Sequence, residues 1–164
     1  MKRTKIMLIL VYIVALVVFL VINQMTPRPG TSSGNGNPAL LLAWLLLPLF
    51  YFIVILWIRI FREHSINIYV FVGCIFGIIG HQIIAFFYQK SEWNEYRQVI
   101  KNAIFKRYGT VDEEYLHTIT NGLSIHVNNQ YFNYNTYFMF VTFSLFVSIV
   151  CILLEKQKEK YINR

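Results

Sequence analysis

The residues that could support chemistry are few and scattered along the chain. The two cysteines, Cys74 and Cys151, lie in apolar stretches and form no Cys-x-x-Cys pair, so thiol–disulfide exchange has no residues to use. His81 is the histidine deepest in an apolar stretch, where an unpaired imidazole is costly. We interpret His81 as a structural residue with a hydrogen-bonding partner. Contact with a substrate or quinone is the alternative.

A second group of residues has some of the features of a metal site. Glu113 and His117 are four residues apart, Glu114 and His117 are three apart, and His126 follows nine residues later. Two histidines and a carboxylate can bind zinc. However, this spacing matches no established motif, and a solvated helix face explains it equally well. We therefore expect no metal ion, no cofactor and no catalytic residue.

Four stretches without Asp, Glu, Lys or Arg must position these residues. They lie at residues 6–22, 39–58, 66–88 and 137–154. Only 14% of the 164 residues are charged, against about 25% in an average globular domain. About 20 apolar residues cross a bilayer as a helix, and the runs are continuous rather than alternating, which excludes a barrel. The sequence predicts an all-α integral membrane protein with a bundle of four transmembrane helices.

The first apolar stretch has a basic start, Lys2, Arg3 and Lys5, which also fits a signal peptide. Its 17 residues exceed the usual 7–15 of a signal peptide, and no Ala-x-Ala site follows. We therefore expect an uncleaved span, with a signal peptide as the alternative.

The placement of Lys and Arg predicts the orientation. Nine of the 15 cations lie in residues 1–5, 59–65 and 155–164, whereas the other six lie in residues 23–38 and 89–136. By the positive-inside rule both termini are cytoplasmic. The net charge of +7 is interpreted as this topology signal and as contact with anionic lipid headgroups, not as a nucleic-acid site. Composition typical of an AT-rich genome and the absence of an Asn-x-Ser/Thr sequon favour a bacterial cytoplasmic membrane.

The two outer loops differ in their predicted order. Residues 23–38 are rich in Pro, Gly, Ser and Asn, which predicts a flexible, passive linker. Residues 89–136 are long enough for structure of their own. Ser91 is a suitable N-cap for an amphipathic helix at 92–108 that lies on the membrane or over the bundle mouth and stops at Gly109.

Two further elements are predicted in the long outer loop. Thr110 and Glu113 match a capping box, which predicts a short helix that ends at Asn121 and Gly122. The alternation around Ile125, with a turn after Val127, predicts a β-hairpin at 123–133. Pro48 is expected to kink the second span.

Small residues recur with the spacing i, i+4, i+7 on the third and fourth spans. They are Gly73, Gly77 and Gly80 on the third span and Ser144, Ser148 and Cys151 on the fourth. Small residues let helices approach closely, so these two faces are predicted to pack together. The alternatives are that such residues are simply common in membrane helices, or that the glycines form a homodimer. Gln82 on the opposite face predicts a third span buried on both sides, central in the bundle or at a subunit contact.

The leading hypothesis is a non-enzymatic membrane protein that binds a membrane or envelope protein through residues 89–136. The exposed-loop residues expected to contact this partner are Tyr96, Tyr115, His117, His126, Tyr131 and Phe132. One alternative is a small oligomeric transporter or channel that uses His81 and Gln82. A lipid or quinone enzyme is a third hypothesis. The lipid bilayer is a partner in every case, and homo-oligomerisation is left open.

Overall fold

The structure is a computed structural model that describes residues 2–31, 36–64 and 66–162. Parts of the predicted linker and Ser65 of the predicted cytoplasmic turn lie outside these residues. Within them the chain is all-helical, with no strand. The elements are α1 (Lys2–Gln24), α2 (Ala39–Ala43), α3 (Leu46–Arg62), α4 (Ile68–Tyr108), α5 (Glu113–Ile119), a 3₁₀ turn (Ile125–Val127), α6 (Asn128–Tyr131) and α7 (Tyr134–Ile162).

Four helical stretches are long and apolar enough to cross a membrane. They are Lys2–Gln24, Ala39–Arg62, Ile68–Tyr108 and Tyr134–Glu159. The four predicted spans are therefore confirmed as helices, and they support a membrane-embedded, multi-pass protein. Large apolar side chains cover their outward faces, as expected for helices that contact lipid.

The second span is interrupted about one helical turn before Pro48. A proline has no N–H, and its ring clashes with the carbonyl four residues earlier. The residue four positions before Pro48 is Trp44, and α2 ends at Ala43 while α3 begins at Leu46. The Leu47 N–H donates instead to the Trp44 carbonyl three residues earlier, at 3.3 Å. The helical hydrogen bonding is thus interrupted at Trp44 and Leu45, just before the position where the kink is predicted.

The long helices pack as neighbouring pairs, α1 with α3, α3 with α7, and α7 with α4. Near the end of α3 and the start of α4, Phe61 of α3, Phe71 of α4 and Ile149 of α7 share one apolar cluster. Near the other end, Phe19 of α1 and Tyr137 of α7 share another. Among the long helices α4 has α7 as its main neighbour. Of the two predicted positions of the third span, the central one is therefore wrong, and a subunit contact stays a prediction.

The third span and the predicted amphipathic helix are one continuous helix. The 41 residues of α4 reach about 62 Å, twice the hydrocarbon thickness of about 30 Å. Ser91 lies inside this helix and caps nothing, so the predicted separate helix that lies on the membrane is wrong. No Pro or Gly occurs between His81 and Tyr108, and the helix ends at Gly109, whose φ of 76° is left-handed.

The glycines of α4 do not pack against α7. A Cβ built on Gly73, Gly77 or Gly80 would meet no atom within 4 Å, so their face of α4 is open. The face that contacts α7 lies roughly opposite and includes Ile78, which is buried. The predicted packing through the small-residue faces is therefore wrong for this chain.

The small residues predicted on the fourth span have other neighbours. Ser144 and Ser148 are fully buried, and they approach Tyr12 of α1 and the Val54 carbonyl of α3 respectively. Cys151 is half-buried.

We expect Gly77→Ala to raise the free energy of unfolding by about 0.5–1 kcal/mol, because alanine loses less entropy in a helix interior and its methyl group enters open space. Reversible unfolding of the purified chain in detergent measures this change. Ala85→Gly is the matched control on the buried face of α4 and should destabilise the chain. A loss of stability in Gly77→Ala would contradict the open face and indicate that another chain covers it.

Candidate binding site on the loop side

The connection between α4 and α7 folds back on the protruding half of α4. The capping box at Thr110 is not used. Instead the Asp112 carboxylate accepts from the N–H groups of Glu114 and Tyr115, at 2.9 and 3.2 Å, and starts α5. Leu116 of α5 then packs on Ile100 and Ile104 of α4. The short helix was predicted correctly, with a wrong cap residue.

The predicted hairpin at 123–133 is absent from the described residues, and helical turns replace it. The Ser124 hydroxyl accepts from the His126 N–H at 3.3 Å and caps the 3₁₀ turn Ile125–Val127. His126, Val127 and Asn128 are consecutive and all buried, which an alternating strand does not allow. We call the protruding half of α4 together with residues 109–133 the loop subdomain.

Carboxamides join the loop subdomain to the helices. Gln89 of α4 donates through Nε2 to the Gln130 carbonyl at 2.8 Å. Its Oε1 accepts from Asn133 and Asn135 at 3.1 and 3.0 Å. Asn23 at the end of α1 donates to the Phe132 carbonyl at 2.7 Å. These bonds fix the start of α7 against α4 and α1.

The linker between α1 and α2 is held at both of its described ends. Asn37 and Asn128 form a reciprocal pair, in which each Nδ2 donates to the other Oδ1, at 2.7 and 3.2 Å. Arg107 donates to the Gly30 carbonyl at 2.9 Å. A Cβ on Gly30 would lie 3.1 Å from the Ala103 carbonyl oxygen, so the linker runs close against α4. The prediction of a passive linker is wrong for these residues.

A cavity of about 510 Å³, which we call the chamber, lies between α5, the 3₁₀ turn and the linker. Its wall contains both hydrogen-bonding and apolar side chains. The lining residues are Gly36, Asn37, Leu40, Tyr115, Thr118, Ile119, Asn121, Leu123, Ser124, Ile125 and His126. None of them carries a carboxylate, an ammonium or a guanidinium group. Burial lowers the pKa of the His126 imidazole, so this group is neutral at pH 7.

The predicted partner-binding residues lie in different environments. His117 and Tyr115 are exposed on α5, and Tyr131 is exposed beside Trp93, with 5.0 Å between ring centroids. Tyr96 is half-buried, and burial raises the pKa of its hydroxyl.

Two of these predicted residues face inward. His126 is 3% exposed, and Phe132 packs edge-on against Phe19 of α1, with 5.5 Å between ring centroids. Phe132 is thus part of the helix packing, and His126 can reach only a ligand that enters the chamber.

The polar residues within the third span are bonded to α7. Gln82 Nε2 donates to the Met139 carbonyl and to the Thr142 hydroxyl, both at 2.9 Å. His81 Nδ1 lies 3.2 Å from the same hydroxyl. This geometry agrees with the structural interpretation of His81.

The residues considered as metal ligands are engaged elsewhere. Lys101 forms an ion pair with Glu113, and Asn121 contacts the His117 ring at 3.0 Å. Within residues 2–31, 36–64 and 66–162, no three His, Cys, Asp or Glu side chains are grouped so that they could hold a metal ion.

No protein-family model matches the chain, and no curated protein or solved structure is similar to it. The chamber residues that the sequence did not indicate are chiefly Asn37 and Leu123, and it also did not indicate Asn128, which pairs with Asn37. One feature of the sequence pointed to the two asparagines, namely that both outer loops are rich in Asn. Asparagine side chains can satisfy backbone groups in irregular segments.

We expect Gln89→Ala to lower the free energy of unfolding by about 1–3 kcal/mol, because it leaves the Asn133 and Asn135 side chains without this acceptor. Unfolding of the purified chain in detergent provides the measurement. Lys90→Ala, at the exposed next position, should stay within about 0.5 kcal/mol. Equal effects of the two changes would show that the carboxamide contacts are not formed.

Asp112→Ala should weaken α5 by about 1 kcal/mol through the loss of its cap, whereas Thr110→Ala should have little effect. Hydrogen exchange of the amides of Glu114 and Tyr115 provides the measurement. Faster exchange in Thr110→Ala than in Asp112→Ala would support the capping box predicted from the sequence and contradict the structure.

Proposed function

We propose that this chain is a non-enzymatic, multi-pass protein of a bacterial cytoplasmic membrane that binds a membrane or envelope protein through its loop subdomain. Its four helices form a transmembrane bundle that anchors this subdomain. Both termini are cytoplasmic and the loop subdomain is outside. The partner contacts the exposed side chains of α5, which include Tyr115 and His117 on either side of the buried Leu116.

The proposed orientation is supported by the position of the cations. Arg62 at the end of α3 pairs through two nitrogens with the Glu155 carboxylate near the end of α7. This contact puts the end of α3 and the last part of α7 on the same side of the protein. The positive-inside rule assigns that side to the cytoplasm, because the basic segments 59–65 and 155–164 follow there.

The observation that carries the proposed binding role is the rigid mounting of α5. Its inner face is held by Leu116 on α4 and its start by Asp112, while Tyr115 beside the chamber and His117 on the other side of Leu116 are both exposed. A binding surface is most precise on elements whose own packing is fixed. Tyrosine is also enriched among the residues that dominate the energy of protein interfaces.

The transporter alternative would need the polar groups of the third span to line a path. Gln82 instead uses both hydrogens of its Nε2 on α7, and His81 lies beside the same Thr142 hydroxyl. This arrangement favours a binding protein over a transporter.

A photoreactive amino acid at position 117 tests the proposal in the native membrane. We expect a discrete protein adduct from position 117 and none from position 161. Tyr161 is a suitable control because it is 69% exposed but lies near the end of α7, away from the loop subdomain. Adding Tyr115→Ala should lower the adduct yield about ten-fold or more, since truncating a central aromatic residue costs about 2 kcal/mol. Tyr161→Ala is the matched control. Absence of a protein adduct at position 117 in correctly inserted protein would refute the proposal.

A further inference from the structure

The chamber continues into a second, apolar cavity. This cavity, which we call the groove, has a volume of about 310 Å³ and is lined by Leu40, Ala43, Trp44, Leu47 and Leu123. Leu40 and Leu123 line both cavities, so the chamber and the groove adjoin along these two side chains. The interruption between α2 and α3 lies in the wall of the groove, because Trp44 is one of its residues.

The position of the groove along the second span puts it at the edge of the hydrocarbon layer. Ala39–Arg62 spans about 36 Å, slightly more than the core thickness of about 30 Å, so its first residues lie at the boundary between headgroups and acyl chains. Trp44 is 68% exposed there, and tryptophan favours this interface. Leu123, from the loop subdomain, overhangs the groove with 64% of its surface exposed.

A ligand that fills both cavities needs a polar part for the chamber and an apolar part for the groove. Asn121 and Ser124 offer the chamber hydrogen-bond acceptors and donors. The Asn37 amide lines the chamber but is already bonded to Leu123, Ala39 and Asn128. The groove offers only apolar side chains and the Trp44 ring. No ionised group lines either cavity, so an anionic headgroup would lose its hydration without gaining a cation.

We propose that the chamber and the groove together bind a membrane lipid with an uncharged, hydroxyl-rich headgroup, of which a glycosyl diacylglycerol is the representative. The headgroup occupies the chamber and an acyl chain occupies the groove. The chamber volume of about 510 Å³ lies within the range of about 300–1,000 Å³ of small-molecule sites. This site shares Tyr115 with the proposed partner contact, whereas His117, the position of the photoreactive residue, lines neither cavity.

Native mass spectrometry of the full chain in detergent micelles tests the site. The protein is titrated with monogalactosyl diacylglycerol and, separately, with phosphatidylglycerol that carries the same acyl chains. We expect one glycolipid to be retained with an affinity about ten-fold higher than that of phosphatidylglycerol, the ratio that corresponds to about one hydrogen bond to a neutral group.

A charge placed at the junction of the cavities should abolish this preference. Leu123→Arg is expected to lower glycolipid affinity about ten-fold or more, since an arginine there desolvates on binding. Phe105→Arg is the matched control, because Phe105 is 59% exposed on α4 and lines neither cavity. If Leu123→Arg does not fold, Trp44→Ala is used instead, and an affinity loss of about three-fold or more is expected from the lost apolar contact.

Three results would overturn the proposal. Equal retention of both lipids, unchanged in Leu123→Arg, would show ordinary contact with bilayer lipid. Displacement of the glycolipid by soluble methyl galactoside at equal concentration would show a site for a polar molecule alone. A protein adduct at position 117 without glycolipid binding would overturn this proposal and leave the proposed function intact.

Discussion

Four polar side chains that lie among apolar residues, Tyr12 of α1, Trp57 of α3, and Gln82 and Gln89 of α4, are bonded to α7 directly or through Tyr12. The Trp57 indole of α3 donates to the Tyr12 hydroxyl at 2.8 Å, and that hydroxyl lies 3.0 Å from Ser144. Gln82 bonds to Thr142, and Gln89 to Asn133 and Asn135. Because an unpaired polar group in hydrocarbon costs several kcal/mol, these bonds determine which helices become neighbours. They make α7 the helix on which the others converge.

This dependence on α7 explains the position of α4. One row of side chains on α4 contacts α7, and the remaining faces are apolar and open. Beyond the membrane the same helix supports α5 through Ile100 and Ile104. Since α4 is continuous, a tilt of its membrane half moves α5 by the same angle. The loop subdomain is therefore mechanically part of the helix assembly, not a separate domain on a tether.

The sequence predicted the elements that depend on local composition. It missed those that depend on single contacts between residues far apart in the chain. Apolar runs of about 20 residues predicted the four spans, and Gly109 predicted the end of α4, because both depend on local chemistry. Ser91 was misassigned as a cap because a serine caps only where the chain is extended, and nothing there interrupts the helix. Gly73, Gly77 and Gly80 indicated that another helix could pack closely against α4, but not which helix does so.

The misassigned hairpin shows why the candidate site could not be predicted from its own segment. The alternation from Leu123 to Val127 fits a strand, yet Asn128 is buried because Asn37, 91 residues earlier, pairs with it. Asn37 also lines the chamber, together with His126 from the segment that follows α5. One member of the pair that holds residues 123–133 as helical turns is thus also a residue of the chamber wall. A change at Asn37 must therefore alter the fold of the loop subdomain and its binding properties together.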